Sequence, residues 1–224
     1  MTEPASPARG PAKRRGDFAA AAGGLVMAAM LAALAGMVDV VGYLHLKGLF
    51  VSFMSGNSTQ LGAALGQGDL ATGADIAELV GLFVLGAAAG QMLADAAGRR
   101  RMTWVLIGVM LLLTIAAALR TAPEPMVFAM GALNASMQRA GNIPVSLTFV
   151  TGVLVRFGQG LGSRLTRRAT GWSWLAQAVP WAGMIAGATI GGTAYLRIGE
   201  PAIWAPIALA AVLAAGAALM PQSD

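Results

Sequence analysis

The stretch LFVSFMSGNSTQLG, residues 49–62, begins as an apolar run and then turns polar around a glycine. The sequence on both sides of it is strongly apolar, as in a membrane-spanning protein. Its hydrogen-bonding side chains after the apolar run are Ser55, Asn57, Ser58, Thr59 and Gln60. The fold therefore depends on how the chain accommodates a glycine-broken polar cluster among lipid-spanning segments.

The composition indicates an integral membrane protein. Apolar residues make up 57% of the chain and charged residues 11%, with a mean hydropathy of +0.68, whereas a soluble domain is about one quarter charged. The runs 18–38, 102–119 and 169–196 contain no charge, and each is long enough to cross a bilayer as a helix. Ala, Gly and Leu dominate without strict alternation, which favours an all-α protein over a membrane β-barrel.

Several classes of function are disfavoured by residues that the chain lacks. It has no cysteine and a single histidine, which excludes disulfides, thiol chemistry and cysteine-type zinc sites. The signatures of zinc proteases, serine hydrolases and P-loop nucleotidases are also missing. The net charge of +5 comes from basic clusters that flank apolar runs, as topology signals do. We therefore expect no enzyme, no cofactor, no metal and no nucleic-acid partner.

Eight apolar blocks can be counted, but the charge pattern favours six full spans. Basic clusters lie at 9–15, 99–101 and 164–168, and basic loops usually face the cytoplasm. With the N-terminus in the cytoplasm, eight full spans would place the basic cluster 99–101 on the opposite side of the membrane. If the blocks 48–66 and 143–162 enter the membrane only partly, six spans remain, and all three clusters and both termini are cytoplasmic.

An internal repeat is predicted by matches that occur in the same order in both halves. Residues 36–62 align with 131–158, so that Asp39 meets Asn134 and SFMSG meets TFVTG. Further on, Gly86 and Gly90 are aligned with Gly183 and Gly187, and Trp104 with Trp204. Each half contains three spans and one half-inserted segment, and because three is odd the second half runs opposite to the first. We thus expect a disordered basic tail at 1–17, repeats at 18–120 and 121–220 that form an inverted pair, and a C-terminal tail at 221–224.

The segment GMVDVVGYLHLKGLFVSFMSGNSTQLG, residues 36–62, resembles the signature of the YoaK-like family of uncharacterised bacterial inner-membrane proteins. The resemblance is carried by the Gly-x-x-Asp pattern at Gly36 and Asp39, by GLF at 48–50 and by MSGN at 54–57. Ser55 stands where threonine is more usual, which keeps the hydroxyl. The resemblance implies a multi-pass protein of the bacterial inner membrane and brings no established substrate.

Polar residues within apolar blocks are the candidate site. An acidic side chain such as Asp39 costs about 2.5–3.5 kcal/mol at the centre of a membrane helix, so it should face a partner, a cavity or a solute. Arg156 or Arg139 could pair with it or bind an anion. The predicted solute-binding residues are Asp39, Ser52, Ser55, Gly56, Asn57, Thr59, Asn134, Gln138, Arg139, Thr148, Thr151 and Arg156.

These residues predict a small secondary transporter or channel for a small polar or ionic solute, with one site near the midplane between the repeats. The alternative is a non-transporting scaffold or sensor that binds a protein or lipid. A third possibility, an enzyme that acts on a lipid, would need a nucleophile or a metal cluster, and the sequence shows neither. The GxxxG spacings of Gly86, Gly90, Gly183, Gly187 and Gly191 predict helix packing, either within one chain or in a homo-oligomer.

Overall fold

The computed structural model describes residues 11–46, 48–119, 123–137, 150–167 and 173–219, and these form helices and short connections. Eight α-helices lie in the described ranges. Their bounds are α1 Pro11–His45, α2 Met54–Gly66, α3 Leu70–Ala97, α4 Arg101–Leu119, α5 Glu124–Met137, α6 Val150–Leu165, α7 Ala178–Ile198 and α8 Trp204–Leu219. The chain is an all-α integral membrane protein.

Among the described residues, three segments are long and apolar enough to cross a membrane by length and composition. Ala22–His45 belongs to α1, and Glu200–Leu219 contains α8. The third, Leu70–Leu119, has 50 residues and contains both α3 and α4. A bilayer core is about 30 Å thick, which about 20 helical residues span, so this segment has the length of two crossings.

The first helix begins earlier than the sequence suggested. Residues 11–17 were expected in a disordered tail, but α1 starts at Pro11. Proline is favoured in the first turn, where no intrahelical donor is needed, and the following Ala, Lys and Arg residues are good helix formers. The tail prediction for residues 1–10 lies outside the described residues.

Helix α1 packs most extensively on α7, through glycines of α7 that let the two backbones touch. Since the contact positions advance together along both helices, α1 and α7 run parallel. The contacts are Gly183 on Ala29, Gly187 on Ala33 and Gly191 on Met37. These glycines pack within one chain, so a homo-oligomer would have to use another surface.

Helices α3 and α5 form a second pair of the same kind. Gly86 packs on Phe128 and Gly90 on Ala132, so these helices are also parallel. In return, Gly131 of α5 packs on the backbone of Phe83 and Ala87, as Gly36 of α1 packs on Met184 and Ala188.

The two pairs match residue by residue. Ala33 and Phe128 are separated by the same sequence spacing as Asp39 and Asn134, and the buried positions of α5 all have buried counterparts in α1 at that spacing. The glycines that face Ala33 and Phe128 are Gly187 and Gly86. The sequence alignment had paired Gly86 with Gly183, so the structural correspondence lies one helical turn further along.

The match continues into the last helix of each half. Gly98 ends α3 with φ +53° and Gly199 follows α7 with φ +68°, a conformation that glycine adopts without steric cost. A 3₁₀ turn follows each glycine, at Gly98–Arg100 and Glu200–Ile203, before α4 and α8 begin. Helices α4 and α8 also pack on each other. Every buried residue of α4 has a buried counterpart in α8 at one spacing, and α8 buries Leu213 in addition: Val105, Leu106, Val109, Leu113 and Ala116 in α4; Pro206, Ile207, Ala210, Ala214 and Ala217 in α8.

Two ends of the bundle can now be defined. At the His45 end, α1, α4 and α7 finish and α5 and α8 begin, since residues of all five line one cavity there. Because α3 is parallel to α5, it also begins at this end, where Asp69 caps it by accepting from the Thr72 amide at 3.1 Å. The Thr72 hydroxyl and amide lower the pKa of the exposed Asp69 carboxyl. At the opposite end, the Arg100 end, α3 finishes and α4 begins.

Candidate functional site

After α1 the chain turns back into the bundle. Residues 48–53, here called the re-entrant loop, join α1 to α2 without helical structure. Val51 and Ser52 at its far end contact Asp39, six residues before the end of α1. Six helical residues rise about 9 Å, so the loop returns by roughly that depth below the His45 end. Non-helical backbone at membrane depth needs internal hydrogen-bond partners.

Asp39 supplies several of those partners. Its side chain is 5% exposed. Its Oδ1 accepts from the backbone amides of Val51 at 3.0 Å and Ser52 at 2.7 Å, and its Oδ2 accepts from the Ser52 hydroxyl. A carboxylate suits this place, because it can accept more hydrogen bonds than any neutral side chain of its size. Asp39 thus ties the re-entrant loop to α1.

Asn57 does the same from α2. The side chain is fully buried, and it pairs with both backbone groups of Phe50. The Phe50 amide donates to Asn57 Oδ1 at 3.0 Å, and Asn57 Nδ2 donates to the Phe50 carbonyl at 2.6 Å. One turn later, Gln60 Nε2 donates to the Gly48 carbonyl at 3.1 Å. Asn57 and Gln60 therefore replace hydrogen bonds that a helix would provide to Gly48 and Phe50.

Two glycines make room for this loop. Val51 packs against Gly42, where a Cβ would come within 2.6 Å of the Val51 side chain. Gly56 lies against the ring of Phe53, which itself stacks edge-on with Phe50 at a centroid distance of 5.3 Å. Gly56 therefore has a packing role beside the loop.

The other predicted site residues lie elsewhere. Ser55 and Thr59 are exposed on α2, and the Thr59 hydroxyl donates to the Ser55 carbonyl of its own helix at 3.0 Å. Thr151 and Arg156 are exposed on α6. Gln138, Arg139 and Thr148 lie outside the described residues. The structure thus brings together Asp39, Ser52 and Asn57, with Gly56 beside them.

The second half repeats the positions with different chemistry. Asn134, at the position of Asp39, is buried, and its Nδ2 donates to the Met130 carbonyl one turn earlier at 2.8 Å. Helix α6 begins at Val150, which corresponds to Met54 at the start of α2 in the SFMSG–TFVTG alignment. Val153 then occupies the position of Asn57 and is also buried. The second half therefore has an apolar residue at the position where Asn57 pairs with the backbone of the re-entrant loop.

A cavity of about 170 Å³ opens at the His45 end. Polar and aromatic side chains come to it from α1, α7 and the start of α8: His45, Tyr195, Glu200 and Trp204. The remaining lining is apolar and includes Val41, Ala116, Met126 and Ile203. Within the described ranges, no cluster of three His, Asp or Glu side chains is placed to hold a metal ion.

Sequence reasoning missed two parts of this arrangement. Gln60 was quoted but not selected, although it lies one turn after Asn57 on the same face of α2. The cavity residues His45, Tyr195, Glu200 and Trp204 are also absent from the predicted site. Tyr195, Glu200 and Trp204 are neighbours in sequence, but His45 joins them only through the packing of α1 on α7, for which the sequence carries no direct signal.

Comparison with known proteins assigns the chain to a family. Residues 27–216 match the family described as "protein of unknown function (DUF1275)". The chain belongs to the DUF1275 family. It is 43% identical over 203 residues to the UPF0700 transmembrane protein RA0705 of Rhizobium meliloti (strain 1021), which covers 89% of this chain and 88% of that relative. No solved structure shows significant similarity to this DUF1275 chain. The YoaK-like resemblance is confirmed.

Proposed function

We propose that this DUF1275 protein is a small secondary transporter or channel that moves a small polar or ionic solute across the bacterial inner membrane. The solute passes between two inverted repeats, with both termini in the cytoplasm. The observation that carries the proposal is the residue-by-residue correspondence of the α1–α7 and α3–α5 contacts.

The correspondence supports an inverted relation between the halves. Helix α1 runs towards the His45 end, whereas its counterpart α5 runs away from it, and the same holds for α7 and α3. Contacts that match while directions reverse are what a pseudo-two-fold axis in the membrane plane produces. Inverted repeats of this kind are common in secondary transporters, with the solute site where the repeats meet.

Helix directions also support six crossings. Helices α1, α3, α4, α5, α7 and α8 alternate between the two ends, while α2 lies between the end of α1 and the start of α3, which are at the same end. The basic cluster 99–101 and the start of α1 then lie at one end, and the positive-inside rule makes that end cytoplasmic. The His45 end faces the opposite side.

The re-entrant loop supports a solute path near Asp39. Irregular backbone at membrane depth occurs where it is enclosed by protein or lines a wet cavity. In this proposal Asp39 carries the charge that couples to a proton or cation, while Ser52 and Asn57 hold the loop that faces the solute. Ser55, Thr59, Thr148 and Thr151, with the remaining predicted site residues, extend the path from the two half-inserted segments.

One observation favours the alternative of a non-transporting scaffold or sensor. The buried polar groups of Asp39 and Asn57 are already engaged with the backbone of the re-entrant loop, which leaves less capacity for a solute. A scaffold predicts sealed proteoliposomes without solute flux and a protein or lipid that copurifies.

Flux through proteoliposomes separates the two candidates. Purified protein is reconstituted, and currents or volume changes are recorded after jumps of choline chloride, sodium chloride, potassium chloride and sodium glutamate. We expect flux of at least one solute, lost in both Asp39→Ala and Asn57→Ala. Ser58→Ala is the matched control, because Ser58 is exposed and its hydroxyl donates only to the Met54 carbonyl of its own helix at 2.8 Å. Normal flux in both loop variants would refute this site, and absence of flux for every solute would favour the scaffold.

A further inference from the structure

The cavity at the His45 end has a chemistry that the fold does not require. Its acid and its aromatic rings come from the end of α7, the 3₁₀ turn and the first residue of α8: Tyr195, Glu200 and Trp204. Among the described lining residues, Glu200 is the one acidic side chain and none is Lys or Arg. The cavity lining therefore combines one acidic residue with two aromatic residues.

The internal repeat provides a comparison for these residues. The glycine contacts place Gly199 at the position of Gly98, and at that spacing Tyr195 corresponds to Ala94, Glu200 to Arg99 and Trp204 to Thr103. Packing at these two places is matched, since Gly187 and Gly191 make the same contacts as Gly86 and Gly90. Trp104 lies one position beyond Thr103, so the sequence pairing of Trp104 with Trp204 is shifted by one residue, and each half has a tryptophan near this turn. The first half has Arg99 where the second has Glu200, so the acid is particular to the second half.

Size and charge select the ligand. A volume of about 170 Å³ is below the roughly 300–1,000 Å³ of pockets for drug-sized molecules, so the cavity suits a molecule of a few heavy atoms. Aromatic faces attract organic cations through the ring quadrupole, most strongly for Trp, and quaternary ammonium ligands are commonly bound this way. At the same end, Glu124 Oε2 is buried without a hydrogen-bond partner among the described residues, and Glu124 lies two residues before the lining residue Met126.

We propose that this cavity binds a small organic ammonium cation, with Glu200 as its counter-ion and Trp204 and Tyr195 as its aromatic walls. The site names the class of solute for the proposed transport and in that respect rests on it. Binding itself needs no flux, so the two can be tested separately.

The test is titration calorimetry on the detergent-purified full chain with tetramethylammonium chloride and choline chloride. The neutral analogue of choline, 3,3-dimethyl-1-butanol, and sodium acetate are the comparison ligands. We expect both cations to bind, and Glu200→Gln to weaken their binding about tenfold through loss of the opposing charge. Trp204→Leu should weaken it several-fold, while Tyr195→Phe keeps the ring and stays within about twofold. Glu78→Gln, which neutralises an exposed acid of α3 away from the cavity, should bind like the parent protein.

Each outcome decides something. No binding of either cation, equal binding of the neutral analogue, binding of acetate instead, or an unchanged affinity in Glu200→Gln would overturn the site. Glu200 is exposed, so its variant should fold, and elution as a single species in size-exclusion chromatography checks this. Cation binding without flux of any solute would leave the site standing and remove the proposed transport. Flux of alkali ions without ammonium binding would support the proposed transport and remove the ammonium site.

Discussion

Replacing Gly86 by alanine should separate α3 from α5. A Cβ on Gly86 would lie 2.8 Å from the carbonyl carbon of Phe128, and one on Gly187 would lie 2.6 Å from the carbonyl carbon of Ala33. These distances fall about 0.6 and 0.8 Å short of the 3.4 Å at which ordinary contact begins. The obstacle is backbone in both cases, so no rotamer change can relieve it, and the helices must move apart.

Overpacking of this kind costs roughly 1–3 kcal/mol, and it acts where close backbone approach is a main source of membrane-helix association. We therefore expect Gly86→Ala and Gly187→Ala each to lower the free energy of unfolding by that amount, with similar values because their contacts are equivalent. The control is Gly81→Ala in the same helix α3, since a Cβ there meets nothing within 4 Å. It should be neutral or stabilise by up to about 1 kcal/mol through helix propensity.

The measurement is unfolding by sodium dodecyl sulfate in mixed micelles, followed by tryptophan fluorescence. The reasoning is refuted if Gly86→Ala and Gly81→Ala have the same effect, since the close contact would then be absent. A large loss in Gly86→Ala beside none in Gly187→Ala would refute the equivalence of the two helix pairs.

Two further predictions concern the re-entrant loop and the topology. Asp39→Ala leaves the amides of Val51 and Ser52 without an acceptor, which costs about 1–3 kcal/mol for each amide. Amide hydrogen exchange of residues 48–53 should therefore accelerate strongly, and it should accelerate less in Asp39→Asn, which keeps one acceptor oxygen. Unchanged exchange in both variants would contradict the role of Asp39 in holding the re-entrant loop. For the topology, Gln67→Cys and Arg100→Cys each introduce one thiol into a chain that has none. An impermeant maleimide added to intact cells should label the first and spare the second, whereas eight full spans predict the reverse.

The sequence was sufficient for the membrane class and for the pairing of Asp39 with Asn134. Charge-free runs and basic clusters carry the membrane signal directly, because lipid excludes charge over a whole segment. The pairing of Asp39 with Asn134 also agrees with the observed contacts, since a polar residue at matching positions of two apolar helices is uncommon enough to fix a register.

The alignment of α3 with α7 could not be obtained in the same way. Gly183, Gly187 and Gly191 repeat every four residues, so Gly86 and Gly90 align with them equally well at two positions one turn apart. Only the partner across the interface distinguishes these alignments, and Ala33 and Phe128 provide it. A periodic motif identifies a packing face but leaves its position along the helix open.

The candidate site shows a related limit. Asp39 and Asn57 could be selected from the sequence because buried polar groups in membranes need partners. Their partners are backbone amides and carbonyls of residues 50–52, and backbone groups are the same at every position of a sequence. The sequence thus identifies which polar side chains need hydrogen-bond partners, while the fold determines which backbone groups those partners are.

The difference between the halves is where function should be sought. Their shared features, the glycine contacts and the buried faces, are accounted for by helix packing. The halves differ at two acidic positions. The first half has Asp39, which binds the re-entrant loop, where the second has Asn134, and the second has Glu200 where the first has Arg99. Both carboxylates come from parts of the chain that approach the His45 end. In the proposed transporter, these two carboxylates would meet a cation that arrives from the His45 end, and the two ends of the proposed path would differ in their affinity for it.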